Sequence, residues 1–304
     1  LSLSLSLCVR VSQLSQTHYQ IASEKLSMAS EAHEKTISFE EGWPVLQEGI
    51  NKLIDIIEGV HNNQFTSEEY MNLYTTTYRI CQPNPLGPES QKLYDKYKKT
   101  FEDYITSEVL PSLREKKDES LLEELVKRWN NHKVMTRWLA RFFHYLDRYF
   151  VSRKGVPTMH GASFLTFYKL VYGEMNHQVR DAVISMIDRE RKGEQINQAL
   201  VKNILDIYME MGEGSMKYYE KDFEEPMLKD TTAFYSRNAS IWIASKSYKD
   251  YMLKVDGCLN QEQDRVSCYL QQISQKKLFE VVEHELLSVH ASKLEEKKRL
   301  DGEA

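Results

Sequence analysis

The chain's 304 residues include only 12 Gly and 7 Pro, about half the combined share of ~12% usual in globular proteins, which disfavours turn-rich sandwiches, barrels and long linkers. Aromatics make up 11%, with 18 Tyr, so the chain can bury a substantial core and general disorder is excluded. A net charge of −5 points away from nucleic acid, and no window of ~18 apolar residues offers a membrane span.

The N-terminus comes first. Leu1 to Leu7 alternates Leu and Ser strictly, and the first Met is Met28. A secretory signal needs a basic start and a continuous apolar run, and this segment has neither. Residues 1–35 are expected to be a disordered leader, translated from upstream sequence such as a CT repeat; an edge strand or a degenerate targeting peptide are the alternatives. From residue 38 the pattern is helical. Ser38 before Phe39-Glu40-Glu41 reads as an N-cap with acids in the first turn. Leu46, Ile50, Leu53, Ile54 and Ile57 then recur in steps of three and four. After a polar break at His61 to Phe65, a second helix opens at Ser67 and runs to about Cys81. The Pro-rich stretch Gln82 to Pro88 is a loop. Helices follow over about 90–107, 118–130 and 133–152, stopping before Lys154-Gly155-Val156-Pro157.

The pattern then restarts. Helices are predicted over 161–173, ended at Gly173, and over 176–191, 196–211, 215–243, 248–273 and 275–294. No window alternates well enough to be a strand. The fold class is therefore all-α, about eleven helices in two successive sets of five plus one, and the tandem arrangement suggests an elongated α-solenoid of large repeats. Cys8, Cys81, Cys258 and Cys268 are scattered and lack a CxxC, which disfavours a disulfide framework or zinc site and suits a reducing compartment.

No catalytic motif stands out. His284-Glu285 with His290 has the wrong spacing for HExxH, since the second His is six positions on. Gly212-Glu213-Gly214 follows a helix, not a strand, and reads as a helix end. Asn238-Ala239-Ser240 matches a glycosylation sequon by chance, and Lys116-Lys117 and the run Glu295 to Arg299 read as solvated surface. No cofactor or metal is expected.

Two segments look like partner surfaces. Tyr70, Tyr74 and Tyr78 form one helical stripe with Met71 beside it, while Leu73, Thr77 and Ile80 can face the core. The competing reading makes the tyrosines core, with hydroxyls at its rim. In Lys133 to Val151, Trp138, Phe142, Tyr145 and Tyr149 make one apolar face and Leu139, Phe143, Leu146 and Phe150 another. Arg137, Arg141, Arg148 and Arg153 interleave, which a fully buried helix would rarely carry. Aromatics with Arg are the usual composition of protein–protein hot spots.

The stretches EEYMNLYTTTYRICQ, LYDKYKKTFEDYI and ELVKRWNNHKVMTRWLARFFHYLDRYFV resemble the N-terminal region of the cullin family, in its plant cullin-1-like branch. The resemblance continues through MIDRERKGEQINQALVKNILDIYMEMG, YYEKDFEEPMLKDTTAFYSR and LLSVHASKL and covers about residues 36–294. It implies a stalk of five-helix repeats: residues 36–155 as repeat 1, 156–273 as repeat 2, and 274–304 as the start of a truncated repeat 3. It implies a non-catalytic scaffold of an SCF-type ubiquitin ligase in the cytoplasm and nucleus. Repeat 1 would bind a Skp1-type adaptor with an F-box protein through its second and fifth helices. Carried over by position, the contacts fall on Tyr70, Met71, Tyr74 and Tyr78, and on Arg137, Tyr145, Arg148 and Tyr149.

The family's later region, which recruits an Rbx1-type RING protein, has no counterpart before Ala304. The expectation is a chain that holds an adaptor but recruits no RING protein, either a truncated scaffold or an interfering binder that sequesters Skp1–F-box pairs. An unrelated α-solenoid tether is the alternative of another class. A cut repeat 3 should also leave apolar surface exposed near Leu278, Val282 and Leu286.

Overall fold

The computed structural model describes residues 36–60 and 64–302, so the expected leader at 1–35 lies outside the described residues. Among the described residues there is no strand, and they form eleven helical runs. They fall into two compact units. One takes the described residues up to Thr100 with Asn131–Ala162, and the other takes Phe101–Asn130 with the described residues from Ser163 onward.

In the first unit, α1 (Phe39–Glu58) starts at a capping box. The Glu41 amide donates to Ser38 Oγ, and the Ser38 amide donates to the Glu41 carboxylate. α2 (Ser67–Cys81) starts the same way, with Thr66 and Glu69 in the two roles. α1 ends where Gly59 takes a φ of 78°. The two helices pack closely at a pair of glycines. A methyl group at Gly42 would lie 2.5 Å from Ile80 Cδ1, and one at Gly49 would lie 2.5 Å from Leu73 Cδ2. α3 (Pro88–Tyr104) is tied down by its tyrosines: Tyr94 donates to the Pro157 carbonyl and Tyr97 to the Met159 carbonyl.

α4 (Asp118–Phe142) is one unbroken helix. The break predicted near residues 131–132 is absent because tertiary partners accept that polar stretch. Asn131 Nδ2 donates to the Ile57 carbonyl at 3.0 Å, and His132 is buried. The chain bends instead at Phe143 (φ −97°, ψ 17°). The following run, α5, comprises His144–Leu146, a π-turn Asp147–Val151 and Ser152–Lys154. The core of this unit is Leu46, Ile50, Leu53, Leu73, Ile80, Leu93, Tyr97, Leu139, Phe143, Leu146 and Phe150, all buried.

In the second unit, α3's helix continues through a π-turn (Ile105–Val109) into Leu110–Arg114. α6 runs from Met159–Phe167 through a π-turn (Tyr168–Tyr172) into Gly173–Arg191. Gly173 does not end a helix. Its φ of −57° is helical, and the π-turn lets the run pass through it. α7 (Gln198–Met211) ends where Glu213 (φ 51°) and Gly214 (φ 86°) turn left-handed, as expected for that glycine pair. α8 spans Lys217–Tyr219, Glu220–Glu224 and Glu225–Ser245. α9 (Tyr248–Cys268) is capped by Ser247. α10 spans Ser274–Glu283 and His284–Ser288, and α11 (Ala291–Gly302) follows it.

The expected exposure of Leu278, Val282 and Leu286 is not found: each is fully buried. Val282 and Leu286 join Tyr235, Ile243, Tyr251, Val255 and Leu294 in one cluster. The helix predicted over 275–294 divides at Val289-His290, and α11 returns Leu294 to that cluster. The run Glu295 to Arg299 lies on α11 and is largely exposed, as expected.

Candidate functional site

α2 has two faces. Leu73, Thr76, Thr77 and Ile80 are buried, while Tyr70, Met71, Tyr74 and Tyr78 are half-buried. The core-facing set read from the spacing is therefore the buried one, and the tyrosine stripe lies at the surface. α5 divides the same way. Leu146 and Phe150 are buried, Tyr145 and Tyr149 are half-buried, and Arg148 is exposed.

α2 packs along α5, which joins the two half-buried faces. The Tyr78 and Tyr145 rings meet edge-on at 5.0 Å, and Tyr145 lies 4.5 Å from Tyr149. The Arg148 guanidinium stands 5.3 Å from the Tyr149 ring, in cation–π range. Tyr70 contacts Phe142 at 6.3 Å. The Tyr74 hydroxyl titrates above its ordinary value. Burial is the main cause, with Tyr70, Tyr149 and Tyr78 adding to it and Arg148 opposing it. Burial and the neighbouring Tyr78 and Tyr149 likewise push Tyr145 up. These phenols stay neutral donors at physiological pH.

The predicted site residues thus divide. Tyr70, Tyr74, Tyr78, Tyr145, Arg148 and Tyr149 form one surface, with Met71 beside Tyr70 on α2. Arg137 is exposed on α4, before the bend at Phe143, and no contact among the described residues joins it to the tyrosines.

The structure adds Phe65 and Lys52, which the sequence reading passed over, to the Trp138, Phe142 and Arg141 that it had named. Phe65 packs on Trp138 at 5.1 Å and on Phe142 at 5.2 Å, with Lys52 Nζ 5.1 Å from its ring. Arg141 covers Trp138 at 5.4 Å. Phe65 lies one position before the Thr66 cap, where an apolar residue commonly staples a helix start, and that signal was present in the sequence. The π-turn Asp147–Val151, which carries Arg148 and Tyr149, has no sequence signature.

This surface offers broad aromatic area, phenolic donors and an exposed cation. That composition is the one common at protein–protein contacts. Among the described residues no group of three or more His, Cys, Asp or Glu is placed to hold a metal ion, and no helix is long and apolar enough to cross a membrane.

An all-α chain with this paired-helix surface has clear relatives. A family model described as the cullin alpha solenoid domain matches residues 43–302, and the chain belongs to the cullin family. It is 56% identical to Cullin-1 of Oryza sativa subsp. japonica over 264 residues, which is 87% of this chain and 36% of that protein. It is 46% identical to Cullin-like protein 3 of Arabidopsis thaliana over 246 residues, covering 81% of this chain and 94% of that protein. Arabidopsis Cullin-2 is 43% identical over 256 residues, covering 84% of this chain and 34% of that protein. The chain therefore spans about a third of the length of Cullin-1 and Cullin-2 and nearly all of Cullin-like protein 3.

Proposed function

We propose that the surface formed by α2 and α5 binds a Skp1-type adaptor carrying an F-box protein. On this reading the chain serves as a non-catalytic scaffold in an SCF-type ubiquitin ligase, acting in ubiquitin-dependent protein degradation in the cytoplasm and nucleus. Residues 36–155 are the adaptor-binding repeat, residues 156–273 a second repeat, and residue 274 onward the start of a third. The observation that carries the reading is the joining of Tyr78, Tyr145 and Tyr149 with Arg148 at one half-exposed face in a member of the cullin family. Half-buried tyrosines have their rings already fixed by packing, so binding loses little side-chain entropy. Met71 adds adaptable apolar area, and Arg137 would contribute from α4 at the edge of the contact.

A pull-down with purified Skp1-type adaptor tests this. The Tyr74→Ala/Tyr78→Ala double variant should bind at least about 100-fold more weakly, since two hot-spot truncations each cost about 2 kcal/mol. Its helicity by circular dichroism should be unchanged. If the unsubstituted chain ignores the adaptor, the reading fails.

A further inference from the structure

The second unit contains a buried charge network between α6, α8 and α9 that the docking surface does not use. Arg191, with a side chain only 2% exposed, sits at its centre. Its Nε donates to Glu262 Oε1 at 3.0 Å, its Nη2 to Thr231 Oγ1 at 2.7 Å, and its Nη1 to Asp188 Oδ1 at 3.1 Å. Glu262 also accepts from the Tyr235 hydroxyl at 2.7 Å and pairs with Arg265 Nη1 at 3.0 Å. Arg265 Nε donates to Glu190 Oε2 at 2.7 Å, and the Tyr269 hydroxyl donates to the same oxygen at 2.8 Å. Burial pushes the Glu262 carboxyl up, but Arg191 and Arg265 outweigh it and hold it below its ordinary value.

Three buried atoms of this network have no hydrogen bond, Glu262 Oε2, Arg265 Nη1 and Asp230 Oδ2, and of the three only Asp230 Oδ2 faces a second carboxylate across a shared cationic nitrogen. Asp230 Oδ2 is 3.5 Å from Arg191 Nη1, the nitrogen that already donates to Asp188. Two carboxylates therefore converge on one guanidinium nitrogen. Both cannot be ionised there without mutual repulsion. A proton on either one removes the repulsion and turns an unpartnered acceptor into a donor for the other.

We propose that Asp188 and Asp230 form a proton-sharing pair, which takes up one proton as the pH falls below neutral and thereby tightens α6 against α8. The groups facing Asp230 are Asp188 and Arg191 from α6 and Arg237 from its own helix. Glu262 and Arg265 of α9 and Glu190 of α6 are engaged around Arg191 and Arg265. α10 brings Lys277, Glu280, His284 and Glu285 against Leu228 and Thr232. Those two positions lie about 200° around the helix from Asp230, so α10 faces the opposite side. Burial and then Asp188 raise the Asp230 carboxyl from 3.8 to about 6, against the pull of Arg191. The fold thus holds this proton more tightly than the unfolded chain does. The stabilisation is fully present below the unfolded value of 3.8 and is lost as pH rises through about 6.

Thermal unfolding of the full chain beside its Asp230→Asn variant, from about pH 5 to about pH 8, tests the pair. The Asn variant should melt about 2–4 °C higher at the alkaline end, and its advantage should shrink toward the acid end. An equal offset at every pH, or a lower melting temperature at the alkaline end, would overturn the proposal. Should the variant not fold, a carboxyl-carbon NMR titration of Asp230 in the unsubstituted chain decides. A midpoint near the value of about 6 supports the pair, and a midpoint near the ordinary 3.8 excludes it.

Discussion

Gly49 and Gly257 both lie inside helices, yet a methyl group should act oppositely at the two. Alanine is favoured over glycine in a helix interior by about 1 kcal/mol at either position. At Gly49 the added carbon would sit 2.5 Å from Leu73 Cδ2 and 2.7 Å from Cδ1, and Leu73 is itself buried. At Gly257 nothing lies within 4 Å. Overpacking a filled core costs about 1–3 kcal/mol, enough to reverse the propensity gain at the first site. Urea unfolding should show Gly257→Ala stabilised by about 0.5–1 kcal/mol and Gly49→Ala destabilised by about 1 kcal/mol. The same sign at both sites would mean that α1 and α2 are not in such close contact. A second single-residue case is Tyr97, whose hydroxyl donates to the Met159 carbonyl at 2.6 Å in a fully buried setting. Tyr97→Phe keeps the ring but removes that hydrogen bond, and should lower stability by about 1 kcal/mol in the same assay.

At the scale of the element, α2 depends on its first turn. The Glu69 amide donates to Thr66 Oγ1, and the Glu69 carboxylate accepts from the Thr66 amide and from Lys52 Nζ at 2.5 Å. Thr66→Ala removes one half of the box and should cost about 1 kcal/mol. Because the loss is local, amide exchange should quicken at the start of α2, through Tyr70, before it does at Tyr78. Uniform acceleration along α2 would show that the helix opens as a whole. Opening this helix at Ser67, as the sequence reading does, misses the cap, although a Thr followed three residues later by Glu is a signal that satisfies two orphan donors by chemistry alone. The two faces of α2 were legible, since spacing fixes which residues share a side. The bend at Phe143 was not. Asn131-His132 looks like a break from propensity, which amounts to a few tenths of a kcal/mol per residue. A bond from Asn131 to Ile57 and the burial of His132 override it. Conversely, Phe143 carries no breaker signal, and only packing between elements decides that the chain turns there. Leu294 is the same lesson at the other end. The sequence pattern carries one helix to Leu294, but the chain breaks at Val289-His290 and α11 places Leu294 in the cluster of Tyr235 and Val282.

For the whole molecule, titration sets the limits of stability at both ends of the pH scale. Glu69 is held below its ordinary 4.5 by Lys52 and Thr66, Glu174 by Arg114, and Glu262 by Arg191 and Arg265 against its burial. Depressed carboxyls stabilise the fold above 4.5, and that contribution is lost as pH falls through their lower folded values. The tyrosines set the alkaline limit. Burial raises Tyr219 and Tyr251 from 10.0 to about 12, and it pushes Tyr172, Tyr208, Tyr235 and Tyr269 up as well. For a phenol whose folded value is raised, the folded state keeps the proton that the unfolded chain releases. The stabilisation is complete below the unfolded value of 10.0 and is lost as pH rises above it. Several buried phenols act in the same direction, so their contributions add into one steep alkaline transition. A tyrosinate absorbance titration followed together with helicity should therefore show this buried set ionising cooperatively, above 10, as helicity collapses. A single smooth titration centred near 10 with helicity retained throughout would show that these hydroxyls reach solvent, and that the tyrosine-rich core of the second unit is looser than its packing indicates.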